Sequence, residues 1–338
     1  MAFLSVFNLV IALNIVGLMK SSAQQHCSVT LESTPTCIVT DSLPKTEKGE
    51  LNFRAMPSVG NGYLGTVIMS DEVHVSGVFN GRANVIPDTP KSRSKTTKRH
   101  KNKLDSDWYY GHTHRARIPS TVAIEYRIDD ANEQNRMYFL DTEKGYFACS
   151  IDTPSYTLYQ KTYAHRTLRN ILITEVETNI KTTDTLNFTV FSNTGNKSRD
   201  INFQSASSNE EWTSWFGYIN QTETETSQNV SVAVVYTSIP AFKRLDHGLS
   251  RDLYITSIAT SLDSEDPLKS AQTYYKQAKQ LGDTMELFSS HVEAWSKLWS
   301  EGNITIEDDL YLSQTVFTSF YYILSSVRED WKHGLSPG

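Results

Sequence analysis

The sequence predicts a mainly β protein, an antiparallel sandwich joined to a helical tail. Three observations carry this. From about residue 50 to 262, short runs of β-branched and aromatic residues are separated by polar turns. No helical period intervenes between those runs, which argues against βαβ units. At Asp266-Pro267 the pattern changes, and apolar residues begin to recur at helical spacing.

The chain opens on an apolar stretch from Phe3 to Met19, followed by Ser21-Ser22-Ala23, small residues of the kind a signal peptidase reads. Residues 1–23 therefore read as a secretory signal peptide, and residues 24–49 as an N-terminal extension. The alternative is an uncleaved signal anchor, for which the apolar run is short. An oxidising compartment would allow a Cys27–Cys37 disulfide stapling the mature N-terminus, with Cys149 as a buried thiol.

In the β region, Thr121 to Ile128 places Val122, Ile124, Tyr126 and Ile128 on one face. Met137–Leu140 and Tyr146–Ile151 flank Asp141-Thr142-Glu143-Lys144-Gly145 and predict a hairpin. Further strands are predicted at Thr66–Met69, Val73–Phe79, Ile171–Val176, Leu186–Phe191, Val230–Tyr236 and Leu253–Ile258. In the tail, Asp266 caps a helix with Pro267 in its first turn and Gly282 at its end. Asp283 and Glu286 make a capping-box-like start for a second helix, running through Trp295 and Trp299 to Gly302. A third helix runs from about Asp309 to Arg328, with Leu310, Phe317, Phe320, Tyr321 and Leu324 at helical spacing. A helix so apolar requires partners.

Composition narrows the function. The 338 residues carry 32 Lys plus Arg against 38 Asp plus Glu, a net charge of −6, and 11% aromatics. That balance leaves no general footprint for nucleic acid or anionic lipid and argues against disorder. Between Lys91 and Lys103, seven of thirteen residues are basic, which reads as a solvated surface loop. Five Asn-x-Ser/Thr sequons, at Asn187, Asn196, Asn220, Asn229 and Asn303, fit a secretory route and predict glycosylation. No Cys-x-x-Cys pair or H-E-x-x-H pattern points to a metal, and no cofactor is expected.

Two short motifs match on paper only. Gly60-Asn61-Gly62-Tyr63-Leu64-Gly65 fits G-x-G-x-x-G, but a strand follows it where a dinucleotide site needs a helix. These glycines read instead as a tight turn with close backbone approach. Gly334-Leu335-Ser336-Pro337-Gly338 fits a nucleophile elbow, but Pro337 has no N–H to donate to an oxyanion hole.

Longer strings carry a resemblance. They are Met56–Thr66 (MPSVGNGYLGT), His74–Gly81 (HVSGVFNG), Thr113–Ser120 (THRARIPS), Tyr163–Leu168 (YAHRTL), Leu298-Trp299, Phe320–Ser326 (FYYILSS) and His333–Gly338 (HGLSPG). In this order they resemble the N-terminal part of glycoside hydrolase family 65, in its acid-trehalase-like branch, the glucosylgalactosylhydroxylysine glucosidases. The resemblance covers residues 50–338 apart from the basic insertion.

It implies a β-super-sandwich over 50–265, a helical linker over 266–302 and, over 303–338, the start of a truncated (α/α)6 barrel. It also implies an inverting glucosidase acting on carbohydrate, with the glycosylated hydroxylysine of collagen as partner. The family's catalytic carboxylates lie beyond Gly338, so none is assigned within this chain. Asn80, His114, Arg115, His165 and Arg166 from the matched strings are candidate sugar contacts, or else braces of the sandwich through buried hydrogen bonds. The alternatives are a non-catalytic carbohydrate-binding module and a trehalose or maltose hydrolase or phosphorylase. The secretory signal counts against a phosphorylase. The expected product is secreted, with no membrane attachment after signal cleavage.

Overall fold

The computed structural model describes residues 32–82, 113–128, 136–193, 198–302, 304 and 306–334. The expected signal peptide, the basic insertion, Cys27, Asn196 and Asn303 lie outside the described residues. In chain order the strands are β1 (Cys37–Thr40), β2 (Ser58–Gly60), β3 (Leu64–Val67), β4 (Glu72–Val75), β5 (Phe79–Asn80), β6 (His114–Arg115), β7 (Ile118–Pro119), β8 (Ile124–Arg127) and β9 (Arg136–Asp141). Then follow β10 (Tyr146–Asp152), β11 (Tyr156–Ala164), β12 (Ile171–Ile180), β13 (Leu186–Ser192), β14 (Ile201–Ser208), β15 (Trp212–Ile219), β16 (Ser231–Thr237), β17 (Phe242–Leu245) and β18 (Gly248–Thr260). Three helices complete the described order: α1 (Pro267–Asp283), α2 (Leu287–Ser300) and α3 (Leu310–Ser326).

The pairings within these sheets are antiparallel, as period-2 patterning with short turns requires. One sheet holds nine strands in the order β1-β9-β10-β11-β12-β18-β16-β15-β14. The order β17-β13-β8 forms a smaller sheet, and β2-β3-β4-β7 another. Ile124, Tyr126, Phe188 and Val190 of the three-stranded sheet pack on Ile151, Leu158, Val176 and Tyr254 of the large one. That is one sheet on another, with a core between their inner faces. The opposite face of the large sheet is covered by helix. Ala271, Tyr275 and Ala278 of α1 and Leu287 of α2 bury against Tyr163, Ile173, Val235 and Ile255.

Most predicted elements form where the pattern put them, including the β9–β10 hairpin. Three details differ. The run Val73–Phe79 is broken into β4 and β5, because Gly77 takes φ +86° and turns the chain. Asp283 does not start the second helix; it ends α1, and Glu286 stands before Leu287 without a side-chain cap bond. Cys149 is half-buried rather than fully enclosed. Asp266 and Asp309 do cap their helices, accepting from the backbone N–H of Lys269 and Leu312. Cys37 is disulfide-bonded. No helix among the described residues is long and apolar enough to cross a membrane.

Candidate functional site

The five candidate residues fall into two clusters rather than one. Asn80 and His114 pair across β5 and β6 and both reach Asp200, a carboxylate with 2% of its side chain exposed. Asn80 Nδ2 donates at 3.3 Å and His114 Nε2 lies at 3.0 Å from the same oxygen, Oδ1. Arg117 grips both oxygens, Nε to Oδ2 at 2.7 Å and Nη2 to Oδ1 at 2.9 Å. Its backbone N–H donates to Oδ2 as well. Burial alone would push the Asp200 carboxyl up, but the Arg117 and His114 bonds outweigh it and bring the pKa to about 2. Arg115, next along β6, is half-buried, and that burial lowers its pKa.

The second cluster lies where the strands meet the helices. Asn61, fully buried in the β2–β3 turn, uses both ends of its amide. Oδ1 accepts from the N–H groups of Tyr63 and Leu64, each at 3.0 Å. Nδ2 donates to the carbonyls of His165 and Arg169, each at 2.9 Å. This one residue locks the turn onto the loop between β11 and β12.

That loop carries His165 and Arg166. His165 Nδ1 accepts from the N–H groups of Thr167 and Leu168, so Nε2 carries the proton and donates to the carbonyl of Leu287 at 2.9 Å. Burial lowers its pKa to about 4. His291 on α2 is also neutral. Its Nδ1 accepts from the Arg166 N–H at 3.1 Å, and burial, with His165 beside it, depresses its pKa strongly.

Arg166 reaches the far end of α3. Its guanidinium donates to the carbonyls of Leu324 at 2.7 Å, Val327 at 3.3 Å and Asn61 at 3.2 Å, and lies over the Trp295 ring. Arg328 donates to the carbonyls of Asn61 and Arg166, each at 3.2 Å. The Gly62 N–H donates to the carbonyl of Ser325 at 2.7 Å. The last carbonyls of a helix have no partner within it, and here the sandwich supplies the donors and two cations at the negative end of the dipole. Gly62 has φ +86°, and a Cβ there would press on the Val327 carbonyl, so the predicted close backbone approach is to α3. Burial, then Arg328 nearby, lowers the Arg166 pKa to about 10.

The arrangement is therefore a clamp. Nε2 of His165 and the Arg166 guanidinium hold helices in place, while Nδ1 of His165 orders the loop itself. Among the described residues no cluster of His, Cys, Asp or Glu could hold a metal ion. Sequence reasoning missed Asp200, Arg117, Asn61, Arg328 and His291. Asn61 and Arg117 stand inside strings already singled out, whereas nothing local marks Asp200 or His291, whose partners are far away in the chain.

In fold the chain is like a solved structure assigned as a kojibiose phosphorylase from the human microbiome. The TM-score is 0.58 over 87% of this chain and 42% of that one, and at 10% identity the likeness is one of fold. No family model matches the sequence. Curated relatives do. The protein-glucosylgalactosylhydroxylysine glucosidase of Dictyostelium discoideum is 32% identical over 306 residues, 88% of this chain and 39% of the relative. The Gallus gallus protein of the same description is 26% identical over 314 residues, 90% of this chain and 38% of that one. The class that these relatives define by name is that of glycoside hydrolases. Within it, the chain is a homologue of the glucosylgalactosylhydroxylysine glucosidases of glycoside hydrolase family 65. It spans about two fifths of the length of the curated relatives it matches.

Proposed function

We propose that this chain forms the sandwich and linker of a secreted inverting glucosidase that removes glucose from the glucosyl-galactosyl unit on collagen hydroxylysine. The observation that carries the reading is the similarity to proteins of that description over 88% of the chain. Inverting cleavage needs a protonated acid at the glycosidic oxygen and a carboxylate base across the sugar, roughly 6.5–9.5 Å apart so that water fits between. Among the described residues, the three buried carboxylates of the sandwich each have a structural partner, although Oε2 of Glu175 has none. Asp200 is held by Arg117, Glu175 by Arg251 at 2.5 Å, and Asp141 accepts from the Lys144 N–H. Acid and base therefore come from the portion of the relatives' length that this chain does not span. The part of these 338 residues is to seat α3, through Asn61, Arg166 and Arg328, as the first helix of an α-helical catalytic barrel.

The test is glucose release from glucosyl-galactosyl-hydroxylysine. The 338 residues alone should release none, and a chain extended to the relatives' length should release it. Release by the shorter chain, abolished by changing one of its own Asp or Glu residues, would refute the assignment. Release by neither would favour a carbohydrate-binding module.

Secretion and glycosylation belong to the same proposal. Asn187, Asn220 and Asn229 are exposed, as oligosaccharide transfer requires. Expression in animal cells should give a product that begins near Gln24 and shifts in mobility on enzymatic deglycosylation. An intact Met1 with no shift would contradict it.

A further inference from the structure

A slot lies between the sheets, on the side of the large sheet away from α1 and α2. Its volume is about 200 Å3, and it is bounded by atoms of both layers and by Leu43 and Leu51. Its floor is a grid of side chains set by strand register. Arg136, Ile151 and Leu158 form one cross-strand row of β9, β10 and β11, and Tyr138, Cys149 and Gln160 form the next. Phe147 and Thr162 follow in the third. The opposite wall is Thr66 to Ser70 with Val122, Ala123 and Tyr126. One rim carries a closed ion cluster, in which Glu125 accepts from Arg136 at 2.5 Å and from Arg127 at 2.6 Å.

We propose that this slot is a binding site for a small aromatic molecule bearing one hydroxyl or N–H. Size sets the first limit. An apolar cavity of about 150 Å3 stays dry and takes up benzene, so this volume suits a single substituted ring. Shape sets the second. Cys149 is the smallest side chain of the middle row, and Tyr138 and Phe147 stack beside it with ring centroids 6.2 Å apart. Chemistry sets the third. Gln160 spends its amide N–H on the Ile124 carbonyl at 2.7 Å, which leaves its amide oxygen as an acceptor along the slot. The Glu125 cluster sets two guanidiniums, Arg127 and Arg136, against one carboxylate, so the rim carries a net positive charge and disfavours a cation. The slot shares no lining residue with the junction clamp, and occupancy is independent of the glucosidase reading.

The test uses the intact chain with phenol, and benzene as the analogue lacking the donor, followed by ligand-observed NMR and calorimetric titration. Saturable binding of phenol, tighter than that of benzene, is expected. In Ala123→Phe a phenyl group would fill the slot, and binding should weaken by at least about tenfold. Independently of that variant's folding, phenol should slow alkylation of Cys149 by a small neutral thiol reagent in the unaltered protein. Absence of saturable phenol binding at millimolar concentration would overturn the proposal. So would binding undiminished in folded Ala123→Phe, or a Cys149 alkylation rate indifferent to phenol.

Discussion

Arg166 and Leu324 stand 158 positions apart in sequence, yet the guanidinium of one donates to the carbonyl of the other at 2.7 Å. That bond ends α3 from outside the helix. With the Gly62 N–H on Ser325 and the second Arg166 bond on Val327, the sandwich supplies the C-terminal cap that the helix sequence lacks. The strand layer and the last helix are therefore one cooperative unit at this point. Disturbing either should be felt by both.

Removing the cation tests this. Arg166→Ala leaves the part-buried carbonyl of Leu324 without its side-chain donor, while Asn61 keeps Arg328, and should cost about 1–3 kcal/mol. The loss would be read from the denaturant midpoint, with hydrogen exchange accelerated first in α3. Arg166→Lys restores the charge without the fork and should recover only part. A midpoint within experimental error of the unaltered protein would show that α3 is held by apolar contact alone.

A second contact of the same junction is steric. Gly145 ends the β9–β10 turn with φ +68°, and a Cβ there would overlap the indole of Trp295. Trp295 is fully buried against Leu140 and Tyr321, so the ring has nowhere to go. Gly145→Ala should destabilise by more than about 2 kcal/mol, combining left-handed strain with the clash. Trp295→Leu in the same background should relieve the steric part but not the backbone strain. Thermal unfolding of the two single variants and the double variant separates the terms.

The junction should also answer to pH, with opposing contributions. His165 is held neutral with a pKa lowered from 6.5 to about 4, and burial puts His291 well below 6.5. The unfolded chain takes up protons there first, so stability falls as pH drops from about 6.5 towards 4. Asp141 runs the other way: burial raises its pKa from 3.8 to about 6, so the folded state takes up the proton first and gains as pH drops. The groups facing Asp141 include Lys144 and Glu143, of which Lys144 partly counters the rise. Asp141→Asn should therefore steepen the loss of stability between pH 6.5 and 4. An unchanged slope in chemical denaturation across that range would contradict the assignment.

Asp200 gives a separate and lower window. Its folded pKa of about 2 lies below the unfolded 3.8, so its contribution is complete above about pH 4 and is lost as pH falls through 2. Asp200→Asn should remove that acid limb and leave Arg117 without its carboxylate. The variant should be less stable at pH 7 by about 3 kcal/mol, the range for breaking one side of a buried pair. Near pH 2 the two proteins should converge.

Apolar exposure on α3 gives the last prediction. Leu310, Leu312, Phe320 and Ile323 are exposed, and Trp299, Ile304, Val316, Phe317 and Phe320 line a hollow of about 220 Å3 between α2 and α3. Patches of this kind mark surfaces that other protein covers. The 338 residues alone should bind an environment-sensitive apolar dye and self-associate. Ile323→Glu should reduce both while shifting stability by less than about 0.5 kcal/mol, because the side chain is 60% exposed. Dye binding unaffected by this change would place the apolar surface elsewhere.

The sequence by itself determined what local chemistry can fix. Alternation set β8 and the β9–β10 hairpin, and Asp266 and Asp309 set the starts of α1 and α3 by side-chain capping within three residues. The family resemblance was legible too, because seven strings in order are words rather than patterns. Other strands lacked that signal. β14 and β15 are interrupted by Asn, Ser and Thr and hold their place by pairing, β14 with β15 and β15 with β16, rather than by alternation. Tertiary structure alone decided the roles of the matched residues. His165 and Arg166 stand together in the chain, but what they bind comes from α2, α3 and the β2–β3 turn. Asp200 gathers Asn80, His114 and Arg117 from 83 to 120 positions away. Sequence spacing records only neighbours along the chain, whereas a buried hydrogen bond is set by neighbours in space, and the bonds that join the sandwich to α2 and α3 link residues more than a hundred positions apart.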